Sequence, residues 1–152
     1  MKQGEKANYT GSKLEVFIRH ILDEKGYTFI ENKKFKAVCC LEQPIYTCQF
    51  NAGKSIYETP VKCDFIVHHP VKHPECLIIE SKWQESSGSV DEKYPYTVLN
   101  IKEKLGYPSI IVLDGGGYKP GAEAWLRMQV GGNLLHVFNM MEFQKWSNSD
   151  AL

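Results

Sequence analysis

The sequence predicts an α/β fold built on a mixed central sheet. Three observations carry that expectation: a stretch of helical period near the N-terminus, a block of short β-rich segments after it, and a closing alternation of helix-like and strand-like segments. A chain of 152 residues is long enough for one hydrophobic core. No internal repeat, low-complexity tract or Pro/Gly/Ser-rich linker divides it, so residues 1–152 read as a single domain.

Taken in order, residues 12–25 predict the first helix. Ser12 is placed to cap it with Glu15 at capping-box spacing, Leu14, Phe17, Ile18, Ile21 and Leu22 share one face, and Gly26 stops it. Tyr27–Ile30, Lys36–Leu41 and Ile45–Phe50 read as strands, with Asn51-Ala52-Gly53 as a turn. Asp64–His68 and Cys76–Lys82 read as a strand pair joined by the Pro-containing loop His69–Glu75. After the loop Ser86–Ser89, a second helix runs over Val90–Leu105 with Val90, Tyr94, Val98, Ile101 and Leu105 along one face. Asp91 and Glu92 open that helix and Lys102 and Lys104 close it, as the helix dipole favours. A buried strand over Ser109–Leu113, a Gly115-Gly116-Gly117 loop, a helix over Gly121–Val130, a strand over Leu134–Phe138 and a short helix over Met140–Trp146 complete the chain.

Composition narrows the function classes. No apolar run approaches the roughly 18 residues a membrane span needs, and Met1–Tyr9 is too polar for a secretory leader; a cytoplasmic protein with no membrane partner is expected. The five cysteines form no C-x-x-C pair, which points to reduced thiols rather than a disulfide framework. The formal net charge of zero argues against a protein that coats nucleic acid by bulk charge. It leaves room for local patches such as Lys33, Lys34 and Lys36.

The chemistry concentrates in the strand pair. A symmetric antiparallel register about the His69–Glu75 loop sets Asp64 opposite Glu80, Ile66 opposite Ile78 and His68 opposite Cys76. Directly opposed residues have Cβ atoms about 4.5–5.5 Å apart, and two carboxylates so close repel each other unless a cation intervenes. Glu80 closes the apolar run Leu77-Ile78-Ile79, so it emerges at the edge of the core. Lys82, two residues on, shares its face, and Gln84 continues the same period. Oxygen donors of this kind suit Mg²⁺, or Mn²⁺ in its place, rather than zinc.

An acid, a gap, and Glu-x-Lys at the end of an apolar strand resembles the PD-(D/E)xK nuclease superfamily, the motif standing here as Asp64 and Glu80-Ser81-Lys82. The resemblance extends from the helix carrying Glu15 to about Phe138. It takes in Gln84 and the run Ser87-Gly88-Ser89-Val90-Asp91-Glu92-Lys93, which is similar to restriction-type and phage-type members. Cys63 stands where the family name has proline. The resemblance implies a restriction-endonuclease-like three-layer α/β/α core of order αβββαβ with C-terminal additions. It implies a divalent metal held by Asp64, Glu80, the Ser81 carbonyl and Glu15, with Lys82 near the attacking water and Gln84 at the site. The implied reaction is hydrolysis of DNA phosphodiester bonds to 5′-phosphate and 3′-hydroxyl ends, in a restriction, homing or phage setting.

Lys93 and Tyr96 on the second helix and Lys119 in a later loop are candidate DNA contacts. Because one domain carries one site and a duplex has two strands, a homodimer or higher homo-oligomer is expected. Two other functions share the scaffold: a junction resolvase or repair nuclease, and a catalytically silent nucleic-acid-binding module. His68, His69, His73 and Cys76 fit no zinc-binding spacing and read as loop residues with solvated histidines. The triple glycine lacks the Lys-Ser/Thr of a phosphate-binding loop.

Overall fold

The computed structural model describes residues 3–152, with side chains from Lys13 onward. Six strands lie in one sheet in chain order: β1 (Thr28–Phe29), β2 (Ile45–Lys54), β3 (Pro60–His69), β4 (His73–Trp83), β5 (Ser109–Asp114) and β6 (Leu134–Phe138). β2, β3 and β4 form an antiparallel meander; β1 joins β2, β5 joins β4 and β6 joins β5 in parallel. The expected mixed sheet is therefore present.

Helices cover both faces. On one, α1 (Gln3–Glu24) and α5 (Met140–Trp146) pack Leu14, Ile18, Leu22 and Phe143 against Phe65, Val67, Ile79 and Val112. On the other, α2 (Phe35–Val38), α3 (Tyr94–Leu99) with its π-helical continuation Asn100–Leu105, and α4 (Pro120–Met128) cover Ile66, Ile78, Ile111 and Leu113. Two covered faces make the three layers, and the elements run helix, three-stranded meander, helix, strand, as the resemblance implies.

Three expectations about element boundaries change. α1 begins before Ser12, so Ser12 lies inside the helix and is not its N-cap. Its other end is as read: Gly26 adopts φ +87°, and the amides of Tyr27 and Gly26 return to the carbonyls of Leu22 and Asp23, closing the helix. Residues 36–41 are helical rather than extended, forming α2 and then a tight turn Cys39–Leu41. Phe35, Val38 and Cys39 are the residues of this segment that pack inward, and their i, i+3, i+4 spacing is a helix face. Asn51-Ala52-Gly53 lies inside β2 as a bulge, where the Gly53 amide donates to the Asn51 side chain at 3.1 Å. The chain reverses at 55–59, where the Ser55 hydroxyl accepts from the amides of Tyr57 and Thr59.

The β3–β4 register is the expected one in its centre, with Ile66 opposite Ile78. Nearer the turn it shifts to His69 opposite His73, so His68 and Cys76 leave the ladder, and Cys76 takes φ +70°. β4 starts at His73, which leaves a shorter connection than expected. The histidines there are engaged rather than solvated: His68 is buried, His69 Nδ1 accepts from the Val71 and Lys72 amides, and His73 Nε2 pairs with the Ala151 carbonyl. No helix among the described residues is long and apolar enough to cross a membrane.

Candidate active site

Asp64, Glu80 and Lys82 converge where the two central strands part. Backbone pairing between β3 and β4 ends at Phe65 opposite Ile79, whereas the pairing of β4 with β5, which begins at Ile78, runs on through Glu80 to Trp83. Past Phe65 the strand also changes face. Phe65 packs with α1, whereas Cys63, two residues earlier, packs with Phe50, Ile66 and Ile78 on the other side. Strict alternation would keep the two together. The change falls at Asp64, level with Gln49 of β2, which takes φ +52°. Asp64 consequently reaches across the gap with its side chain: Oδ2 accepts from the Ser81 amide at 2.8 Å and from the Ser81 hydroxyl at 3.2 Å.

The expected carboxylate pair is present, joined by side-chain contact rather than by ladder opposition. Glu80 is buried at 8% exposure, with its carboxyl in the field of Asp64. Its pKa is pushed up to about 8, chiefly by burial and then by the negative charge of Asp64, with Lys82 opposing. Lys82 Nζ lies 3.6 Å from Glu80 Oε2, closer than a through-water contact and longer than a strong hydrogen bond.

Glu15 of α1 reaches the same neighbourhood. Its carboxyl is half-buried and raised in pKa by burial and then by Asp64, with Arg19 opposing. Three carboxyl groups thus share one field, with Lys82 acting on Glu80 and Arg19 on Glu15. The Asp64–Glu80 pair of hard oxygen donors, with Glu80 raised in pKa first by its burial and then by Asp64, suits a hard divalent cation. Arg19 and Cys48 are additional neighbours: the Cys48 thiol on β2 is raised by burial, lowered by Arg19, and raised by Glu15 and Asp64. Nothing local in the sequence marks either one. Arg19 is signalled only by lying one helical turn after Glu15.

The other expected site residues are placed differently. Gln84 lies beyond β4, buried, with both ends of its amide committed: Oε1 accepts from the Asp91 amide at 3.0 Å and Nε2 donates to the Gly117 carbonyl at 3.4 Å. It ties together the loops at the exit of β4 and lies outside the carboxylate cluster. Lys119 is held by Asp91 through both its amide and its ammonium, at 3.0 and 3.1 Å. Tyr96 stacks on Tyr57 at the β2–β3 turn, 5.5 Å between ring centres. Lys93 is exposed. Gly115 and Gly117 explain the triple glycine: a Cβ on either would stand 2.3 Å from the backbone of Gln84 or Glu85. These glycines let the β5 loop close against the end of β4.

A basic cleft that sequence reading touched only through its lysine run opens beside the site. A cavity of about 540 Å³ is lined by Lys33, Lys36, Lys62, Asn32, Gln49 and Asn51. Gln49 and Asn51 belong to the strand that flanks Asp64.

A family model described as a PD-(D/E)XK nuclease superfamily domain matches residues 6–151. Nucleases of that superfamily generally use divalent metals. No curated protein and no solved structure matches the chain.

Proposed function

Since the chain belongs to the PD-(D/E)XK nuclease superfamily, we propose that residues 1–152 act as one Mg²⁺-dependent DNA endonuclease domain of the restriction, homing or phage type. The observation that carries this proposal is the meeting of Asp64, buried Glu80 and Lys82 at the point where β3 and β4 separate. Asp64 and Glu80 hold the metal, with Glu15 and the Ser81 carbonyl completing its protein ligands, and Mn²⁺ substitutes. When bound, the metal supplies Lewis-acid polarisation of the scissile phosphate and lowers the pKa of water.

The chain's own groups do the rest. The Ser81 amide and hydroxyl fix the rotamer of Asp64, so one carboxylate is oriented before substrate arrives. Lys82 stands beside Glu80, where its ammonium orients the attacking water and offsets negative charge developing on phosphorus. The products are a 5′-phosphate and a 3′-hydroxyl. Lys33, Lys36 and Lys62 in the cleft beside Asp64 carry the phosphate backbone to the site, which reconciles DNA binding with zero net charge. Lys93 remains an exposed contact candidate on the flanking helix.

Supercoiled plasmid with Mg²⁺ provides the test. Wild-type protein should cut it, and Lys82→Ala and Glu80→Gln should each lose at least about 100-fold in rate. Equal cutting by wild type and both variants would overturn the assignment.

A further inference from the structure

A second metal-ligating group lies on the opposite part of the hairpin from the carboxylates. Cys39 at the end of α2, His68 of β3 and Cys76 of β4 each direct one ligand atom to a common point, all within 4.8 Å of one another. The two thiol sulfurs lie within that distance of each other. His68 is 7% exposed and its Nδ1 has no hydrogen-bond partner, a costly state for a buried ring nitrogen. The register shift between Val67 and His69 and the left-handed Cys76 turn His68 and Cys76 out of the regular ladder.

We propose that Cys39, His68 and Cys76 form a zinc site that fastens the α2 segment to the β3–β4 hairpin. Two sulfurs and one imidazole nitrogen are a borderline-soft donor set, which selects Zn²⁺ over the hard cation suited to Asp64 and Glu80. Tetrahedral zinc with Zn–S of about 2.3 Å sets sulfurs about 3.8 Å apart, so the three donors need draw in by only about 1 Å from the observed limit. Solvent fills the fourth position. Binding converts both thiols to thiolates and releases their two protons to solvent, with no change in oxidation state. The site secures the segment that also bears Lys33 and Lys36 by tying it to the adjacent strands β3 and β4.

Zinc content and cobalt spectroscopy on the full chain test this. Protein reconstituted with Zn²⁺ and dialysed should retain about one zinc per chain, and Co²⁺ in its place should show thiolate-to-cobalt charge transfer and the visible bands of a tetrahedral site. Cys39→Ser, on a segment near the surface, should weaken retention at least about 100-fold and abolish the charge-transfer band. Cys76→Ser should do the same. Cys40→Ser and Glu80→Gln should keep both signals, which separates this site from the neighbouring thiol and from the carboxylate cluster. Metal retention that survives Cys39→Ser, is lost equally in Cys40→Ser, or follows Glu80→Gln overturns the proposal. So does a Cys39–Cys76 disulfide in freshly purified protein that carries no metal.

Discussion

Glu80 is a carboxyl group held against its own ionisation. Its pKa stands at about 8 against an ordinary 4.5, so between those values the folded chain keeps a proton that the unfolded chain has released. Stability of metal-free protein must then fall as pH rises through that window, by an amount on the order of a few kcal/mol. A divalent cation requires the carboxylate, so its stabilising effect grows over the same range. Thermal melts at about pH 5.5 and about pH 8 should show a larger Mg²⁺-induced rise at the higher pH, and Glu80→Gln should flatten the metal-free pH dependence. Identical pH profiles for wild type and Glu80→Gln would contradict this. Asp64, Glu80 and Lys82 were legible in the sequence because strand alternation and a symmetric hairpin are local rules. Cys48 and the approach of Cys39 to His68 and Cys76 were not, because these residues meet only after separate elements pack. Gln84 follows Trp83, where β4 ends, and the partners of its amide, Asp91 and Gly117, come from loops that strand alternation does not describe.

Element boundaries show where local signals compete. Ser12 and Glu15 have capping-box spacing but sit within a helix that starts earlier. The capping box that forms is Asn139 with Glu142 at the start of α5, where the chain leaves β6 and needs a cap. Arg127 of α4 then grips the same Glu142 at 2.7 Å, and Asp114 accepts the Met140 amide, so α5 is pinned from two sides. The segment 36–41 was read as a strand from its apolar content, although its buried residues follow the helix period. The glycine loop after β5 yields the prediction at this scale. Gly117→Ala would drive a methyl into the backbone of Glu85 and Ser86, costing about 1–3 kcal/mol and displacing the exit of β4 two residues beyond Lys82. Gly121→Ala, in α4 with nothing within 4 Å, should be neutral or stabilising by about 0.4–1 kcal/mol. Denaturant melts with cleavage rates on the two variants check the contrast; equal effects would remove the close-approach role from Gly117.

For the molecule as a whole, the α/β class with its mixed sheet was legible from periodicity, and the three layers were implied by the family resemblance. Charge distribution was less so. A neutral chain presents a cleft with three lysines because residues 33, 36 and 62 are gathered by the fold rather than by the sequence. With one carboxylate cluster per chain, breaking both strands of a duplex calls for two chains. Supercoiled plasmid should therefore pass to linear form with little nicked intermediate at concentrations where the protein sediments as a dimer, and the rate should rise faster than linearly with protein concentration below them. Accumulation of nicked circles at every concentration would assign the activity to a monomer.

The six strands neighbour one another in the order in which the chain is made. No strand must be threaded between two already in place, so the sheet can grow from one edge while the polypeptide is still leaving the ribosome. Asp64, Glu80 and Lys82 are all delivered by the time β4 emerges, but Glu80 gains its backbone strand partner, Ile111, only when β5 docks. Nascent chains stalled before Ser109 would thus carry every acid of the cluster without the strand that walls it, which delays assembly of the cluster until β5 has been made.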